Sequence, residues 1–154
     1  MTSFLLKSFA RVWKKLPRGG RVFLARLTQK KFTASVAGVI SDEEGRVLVL
    51  DHVLRPASGW GLPGGFMHHF EQPIEALERE LREETGIELS DIALYRVRTL
   101  KRHIEFIFTA RAKGKGTVKS REITAVEWFD PADLPPEMNV DQQFLIRRVF
   151  RLDV

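Results

Sequence analysis

Apolar and polar positions recur along this chain with two different periods, and the switches between them mark its elements. Phe32 to Ile40 (FTASVAGVI) is β-rich and mostly apolar, the pattern of a buried strand. Ser41 to Gly45 (SDEEG) reads as a turn, and Arg46 to Asp51 (RVLVLD) as the second strand of a hairpin. His52 to Gly61 is a loop, after which Leu62-Pro63-Gly64-Gly65-Phe66 leads toward a helical segment. That helix is predicted from Gln72, with Pro73 in its first turn, to a natural stop at Gly86. Ile74, Leu77 and Leu81 form its apolar stripe. Period-two patterning returns at Ile92–Leu100, His103–Ala112 and Ile123–Phe129. Lys113 to Ser120 (KGKGTVKS) between them reads as a hairpin loop. Pro131 to Pro136 predicts a short turn or helix. Asp141 to Leu152 predicts a closing amphipathic helix on Phe144, Leu145, Val149 and Leu152.

Residues 1–31 follow another rule. Phe4, Leu5, Phe9, Val12, Trp13 and Leu16 recur at helical spacing, with Lys7, Arg11, Lys14 and Lys15 between them. Pro17 and Gly19-Gly20 are expected to stop that helix, and Val22 to Leu27 forms a second basic helical piece. The division expected is a basic amphipathic helical arm over 1–31 and one domain over 32–154. Such an arm docks on its own domain, supports a homodimer, or meets a membrane surface or nucleic acid.

Composition narrows the class. The 154 residues suffice for one compact domain with a sizeable core. A net charge of +5 favours anionic partners, nucleotides among them. Cysteine is absent, which rules out disulfides and thiolate metal sites and fits a reducing compartment such as the cytoplasm. No apolar run approaches the roughly 20 residues of a membrane span, and Phe4-Leu5-Leu6 is too short for a signal-peptide core.

Candidate chemistry gathers at Gly65–Ile87, GFMHHFEQPIEALERELREETGI. At about 100° per residue, Glu80, Glu83 and Glu84 fall within an arc of roughly 100° beside the apolar stripe. Like charges at Glu80 and Glu84, four residues apart, cost a helix about 0.2–0.5 kcal/mol. A hard divalent cation turns that repulsion into attraction, since such ions take carboxylate oxygens and substrate phosphates as ligands.

The spacing is specific. Gly65, five residues, Glu71, seven residues, then Arg79-Glu80-Leu81-Arg82-Glu83-Glu84-Thr85-Gly86-Ile87 fills every fixed position of the Nudix box. Seven fixed identities coincide by chance at roughly 10⁻⁸ to 10⁻⁹ per start position. VAGVI, GRVLVLD, GWGLPGG and EITAVEWFD are also placed as in Nudix (MutT-like) domains. The chain thus resembles that family from about Phe32 to Leu134, with the arm outside.

The resemblance implies an α/β fold, a Nudix-type α/β/α sandwich around a mixed β-sheet. It implies hydrolysis of a nucleoside diphosphate linked to another group, with Mg²⁺ or Mn²⁺ as cofactor. The substrate is then a nucleotide-type small molecule: an NDP-sugar or ADP-ribose, an NTP or a dinucleoside polyphosphate, with capped RNA ends a further member of the set. Carried over by position, Glu80, Glu83 and Glu84 are metal ligands with the Gly65 carbonyl, and Arg79 orients the carboxylates. Glu71 either ties the loop to the helix or complements the helix dipole. Glu122 is the expected general base, set against an ordinary solvated strand-edge carboxylate; Glu105 and Glu127 are weaker candidates. Arg55 and His68 are candidate substrate contacts, against ordinary surface roles for both. His68 and Phe70 stand where relatives often carry glutamate and glycine, so the shape of this loop and its contacts differ. Trp60 and Trp128 are expected in the core or cleft wall, and Phe66 beneath the loop. The alternative function is a non-catalytic Nudix-like module that binds nucleotide or RNA.

Overall fold

The computed structural model describes residue 10, residues 13–55 and residues 59–152. The chain divides into two compact units, 1–32 and 33–154.

In the first unit, residues 13–15 are helical and α1 spans Arg18–Thr28. Pro17 occupies the N-cap, and Gly19-Gly20 lie inside the first turn rather than ending a helix. A first turn tolerates them because its N–H groups have no intrahelical partner to lose. Phe4, Leu5, Phe9 and Val12, the basis of the expected preceding helix, lie outside the described residues.

The second unit is built on six strands: β1 Thr33–Ser41, β2 Val47–His52, β3 Trp60–Gly61, β4 Glu88–Leu100, β5 His103–Lys113 and β6 Ile123–Phe129. Two helices accompany them, α2 Pro73–Glu84 and α3 Val140–Val149. The sheet runs β3-β2-β1-β5-β4, with β6 also paired to β2. β1 and β5 are parallel from Thr33↔His103 to Ser41↔Arg111, and the other pairings are antiparallel, so the sheet is mixed.

Strand alternation feeds a core on each face. Leu48 and Leu50 of β2 face one core, with Val36 and Ile40 of β1, Phe108 of β5 and Ala76, Leu77 and Leu81 of α2. Val47 and Val49 face the other, with Val39, Leu62, Leu134, Met138 and Ile146 of α3. That is the α/β/α sandwich expected. The helix faces differ in detail. Ile74 is exposed and Ala76 is buried in its place. In α3, Ile146 is fully buried whereas Phe144 is 46% exposed. Each apolar arc is rotated from the one the sequence pattern predicts, so that Ala76 joins Leu77 and Leu81 in one core and Ile146 enters the other.

Of two predicted hairpins, one forms with a short ladder and one is corrected. The SDEEG turn forms, yet β1 and β2 meet only at Ser41↔Val47, and β2 takes β6 as its long ladder partner. The Lys113–Ser120 segment is no hairpin loop, since β5 pairs with β1 and β4 while β6 pairs with β2. It crosses between strands and packs on the end of α2. Lys119 N donates to Glu84 O (2.9 Å) and Thr117 N to Thr85 O (3.0 Å).

Candidate active site

The loop before α2 and the helix are locked together by one guanidinium. Arg79 Nε donates to Glu71 Oε1 (2.7 Å) and Nη2 to Glu71 Oε2 (3.1 Å), a bidentate pair. Its Nη1 reaches Glu80 Oε1 (2.8 Å) and Nη2 the Phe66 carbonyl (3.1 Å). Glu83 Oε2 lies 3.5 Å from Nη1. Glu71 also accepts from His68 N (2.8 Å), so it ties loop to helix. The Arg79 bonds, then the His68 N–H, hold the Glu71 carboxyl down near 2. The same Glu71 bond pushes Arg79 further above its ordinary value.

The helix that carries these groups begins at Pro73. Glu75 accepts from Gln72 N (2.9 Å), covering one free donor of the first turn. It ends where Gly86, at φ 74°, donates to Leu81 O (3.0 Å) and Arg82 O (3.1 Å).

Of the three box glutamates, each has a different environment. Glu84 is buried, 6% exposed, and its Oε2 has no hydrogen-bond partner. Burial first, then the Glu80 charge, raises its pKa to about 8; Arg55 and the Gly64 N–H pull the other way, and Glu122 adds to the rise. Glu80 lies against Gly65, where a Cβ would collide with the carboxylate. Glu83 is the solvent-facing member, its side chain 61% exposed. The Gly65 carbonyl accepts from Val36 N (2.9 Å), fixing the loop on β1, with one lone pair left over.

His52 approaches from β2, its Nδ1 3.8 Å from Glu84 Oε1. Burial, reinforced by Arg55 and opposed by Asp51, lowers its pKa to about 4. Without a metal, burial thus disfavours the charged form of both His52 and Glu84. His52 Nε2, like Glu84 Oε2, is buried without a partner.

Arg55 enters the same region. Its Nη2 donates to Leu62 O (2.7 Å), and its charge is felt by Glu84 and Glu105. It lines a cleft of about 170 Å³ with Ser35, Gly64, Gly65, Phe66, Glu105 and Gln142. Glu122 anchors the other approach: its carbonyl accepts from Val53 N (2.9 Å) and its charge reaches Glu84. A larger cavity, about 510 Å³, lies between the Asp42–Arg46 turn and Lys113–Lys115, and holds none of the box carboxylates.

The structure thus brings Gly65, Glu71, Arg79, Glu80 and Glu84 together, with Arg55 and Glu122 at the margin. His68 is placed otherwise: its backbone serves Glu71 while its side chain stays exposed. Glu105 is engaged by Arg98 Nε across the β4–β5 ladder, and Glu127 is exposed on β6. Phe66 is 64% exposed rather than tucked beneath the loop, and meets His103 edge-on at 5.7 Å. Trp60 packs edge-on to Phe129 at 5.4 Å, and Trp128 lies against the α2-side core.

One cleft residue, Gln142, and one neighbour of the cleft, His103, carry no sequence signal. Gln142 Oε1 accepts from Leu62 N (3.0 Å), although it comes from α3, eighty positions on. His103 bonds Ser35 Oγ (2.8 Å) and Thr33 Oγ1 (2.7 Å) because β1 and β5 are in parallel register.

The donor set suits a hard divalent cation. Glu84 Oε2 is a buried acceptor without a donor, Glu80 and Glu122 crowd it with like charge, and the ligands are all oxygen. Among the described residues no three His, Asp or Glu side chains are already gathered at ligating geometry. Glu80 is turned to Arg79 and Glu83 to solvent.

Comparison with known proteins agrees with this geometry. The NUDIX domain family model matches residues 31–149. A MutT-like protein of Streptomyces ambofaciens is 33% identical over 124 residues, 79% of this chain and 77% of that one. The 8-oxo-dGDP phosphatase NUDT18 of Danio rerio is 36% identical over 102 residues; the match covers 62% of this chain and 31% of that relative. The crystal structure of a MutT NUDIX hydrolase from Burkholderia pseudomallei superposes with a TM-score of 0.68 at 26% identity, over 78% of this chain and 99% of that one. With the helix-borne carboxylates, the arginine clamp and these relatives in view, the chain belongs to the Nudix family of pyrophosphate hydrolases.

Proposed function

We propose that this chain hydrolyses the pyrophosphate of a nucleoside di- or triphosphate or a related nucleoside diphosphate derivative, with Mg²⁺ or Mn²⁺ held by Glu80, Glu83, Glu84 and the Gly65 carbonyl. The observation that carries the reading is the buried Glu84 carboxylate, whose Oε2 lacks a partner beside Glu80 and Arg55. An acceptor left unsatisfied in the interior costs about 1–3 kcal/mol, a cost that ligand binding removes. When bound, the cation neutralises phosphate charge and acidifies a coordinated water.

The chain's own residues do the rest. Arg79 holds Glu80 and Glu71 so that the loop carbonyls keep a fixed distance from the helix. Arg55 faces the cleft, where its guanidinium pairs with a phosphate oxygen. Glu122 accepts the proton of the attacking water as the new P–O bond forms. The bridging P–O bond then breaks, and the leaving phosphate carries away the electron pair. Phosphoryl transfer needs mainly such positioning and charge stabilisation.

The test is a substrate panel with product identification by mass spectrometry: 8-oxo-dGDP, 8-oxo-dGTP, ordinary NTPs, ADP-ribose, NDP-sugars and 5′-capped RNA, each with Mg²⁺. Turnover on at least one, cut by about a hundredfold or more in Glu84→Gln, is expected. Tight calorimetric binding of a nucleotide with no product from any substrate would replace hydrolysis by pure binding.

A further inference from the structure

The charge of this chain is segregated. Residues 1–31 contain nine Lys and Arg and no Asp or Glu, whereas residues 32–154 carry sixteen cations against twenty anions. The whole net positive charge therefore resides in the arm. Within it, α1 buries no side chain. Phe23 is 62% exposed and Leu27 66% exposed, with Val22 and Leu24 beside them. At about 100° per residue, Phe23, Leu27 and Leu24 span an arc of roughly 100°. Arg18 and Arg21 lie across the helix, and Arg26 flanks the apolar arc.

We propose that the arm docks the protein on an anionic lipid-bilayer surface, with Phe23, Leu24 and Leu27 of α1 at the headgroup–acyl boundary and Arg18, Arg21 and Arg26 against lipid phosphates. A helix of low overall hydrophobicity, with Phe and Leu on one face and arginines around it, has the form that lies in the interface plane. Its eleven residues extend about 16 Å, half of the roughly 30 Å needed to cross. Charge complementarity selects this occupant. A second copy of the arm meets nine cations with nine cations, and nucleic acid satisfies the arginines while leaving Phe23, Leu24 and Leu27 in water. Anionic lipid takes both faces at once. The basic residues supply long-range attraction within a Debye length and the apolar arc supplies insertion. A hydrolase so placed acts on nucleotides next to the membrane, with its box carboxylates carried on α2 and not on the docking helix.

Flotation of the full chain with vesicles tests this. Vesicles of phosphatidylcholine containing phosphatidylglycerol should carry the protein up the gradient, and phosphatidylcholine alone should not. High salt should reverse the flotation. Replacing Arg18, Arg21 and Arg26 together by Gln should weaken partitioning by about a hundredfold. Phe23→Ser with Leu27→Ser should also release the protein, while circular dichroism and nucleotide hydrolysis stay as in the parent, since neither side chain is buried. The proposal is overturned by any of four results: no flotation with anionic vesicles; equal flotation with neutral ones; serine variants that float like the parent; or light scattering that shows a dimer which the serine variants dissolve. Tighter retention on single-stranded RNA than on anionic vesicles at equal salt overturns it in favour of a nucleic-acid arm. Failure to hydrolyse any nucleotide leaves this test intact, because flotation does not read catalysis.

Discussion

Arg79 shows how much of the site rests on geometry at a single residue. Five donors in a rigid fork serve Glu71, Glu80 and the Phe66 carbonyl at once. Arg79→Lys keeps the charge and loses the fork. It should lower kcat/KM by about 10–100-fold, the usual cost of removing a group that orients metal ligands, with a much smaller change in melting temperature. Steady-state kinetics and calorimetry on the same preparation separate the two effects. Glu84 and His52 make a prediction about pH. The Glu84 carboxyl titrates near 8 when folded against 4.5 ordinarily, so between these values the folded chain holds the extra proton. Stability of the metal-free protein from this group falls as pH rises from 4.5 to 8. His52 acts in the opposite sense: at about 4 folded against 6.5 ordinarily, its contribution is lost as pH falls through that window. Glu84→Gln should raise the metal-free melting temperature at pH 8 by ~5 °C or more, with the gain shrinking toward pH 4.5. A flat difference across that range would remove the buried-carboxylate reading. None of this could be read in the sequence beyond the identity of the glutamate, because burial is made by residues distant in the chain.

At the scale of elements, the ends of α2 matter as much as its face. The Lys113–Ser120 crossover lies on its C-terminus, with the Lys119 side chain where a Cβ at Gly86 would stand. Gly86→Ala therefore meets a left-handed φ and also displaces the flexible end of Lys119. It should destabilise the fold by about 1–3 kcal/mol, read as a shift of the denaturant midpoint, and it should weaken the site by loosening the turn after Glu84. The elements themselves were legible: each predicted strand and helix of the domain exists within a few residues, since alternation and 3.6-residue spacing are local properties. The pairing was not. Neighbours in sequence suggested β1–β2 and β5–β6 hairpins; the first forms with a short ladder, the second does not, and β1 also lies parallel to β5, where Val36 and Ile40 share a core with Phe108. That pairing brings His103 to Ser35 and forms one wall of the cleft.

For the whole molecule, both cores draw only on residues beyond 33. Removing residues 1–31 should leave a domain that still melts cooperatively and hydrolyses substrate with unchanged kcat/KM, while its charge reverses to four more anions than cations. Anion-exchange retention, a thermal scan and the nucleotide assay would check all three. Aggregation or a broad, non-cooperative melt of the truncated chain would show that the arm contributes to the domain's fold.

The sequence by itself determined the candidate site's carboxylates and the helix that carries them. One run from Gly65 to Ile87 sets the glutamates on one helical face, places Arg79 a turn before Glu83 and ends the helix at a glycine, all through contacts between near neighbours. It also set the charge contrast between arm and domain, which is composition. Tertiary structure alone decided that Glu84 is buried while Glu83 faces water, that Arg55 and Gln142 reach the cleft, and that His68 does not turn its side chain inward. The physical reason is desolvation: whether a carboxylate keeps its water depends on which strands and helices close over it, and that follows from packing across the chain rather than from spacing along it.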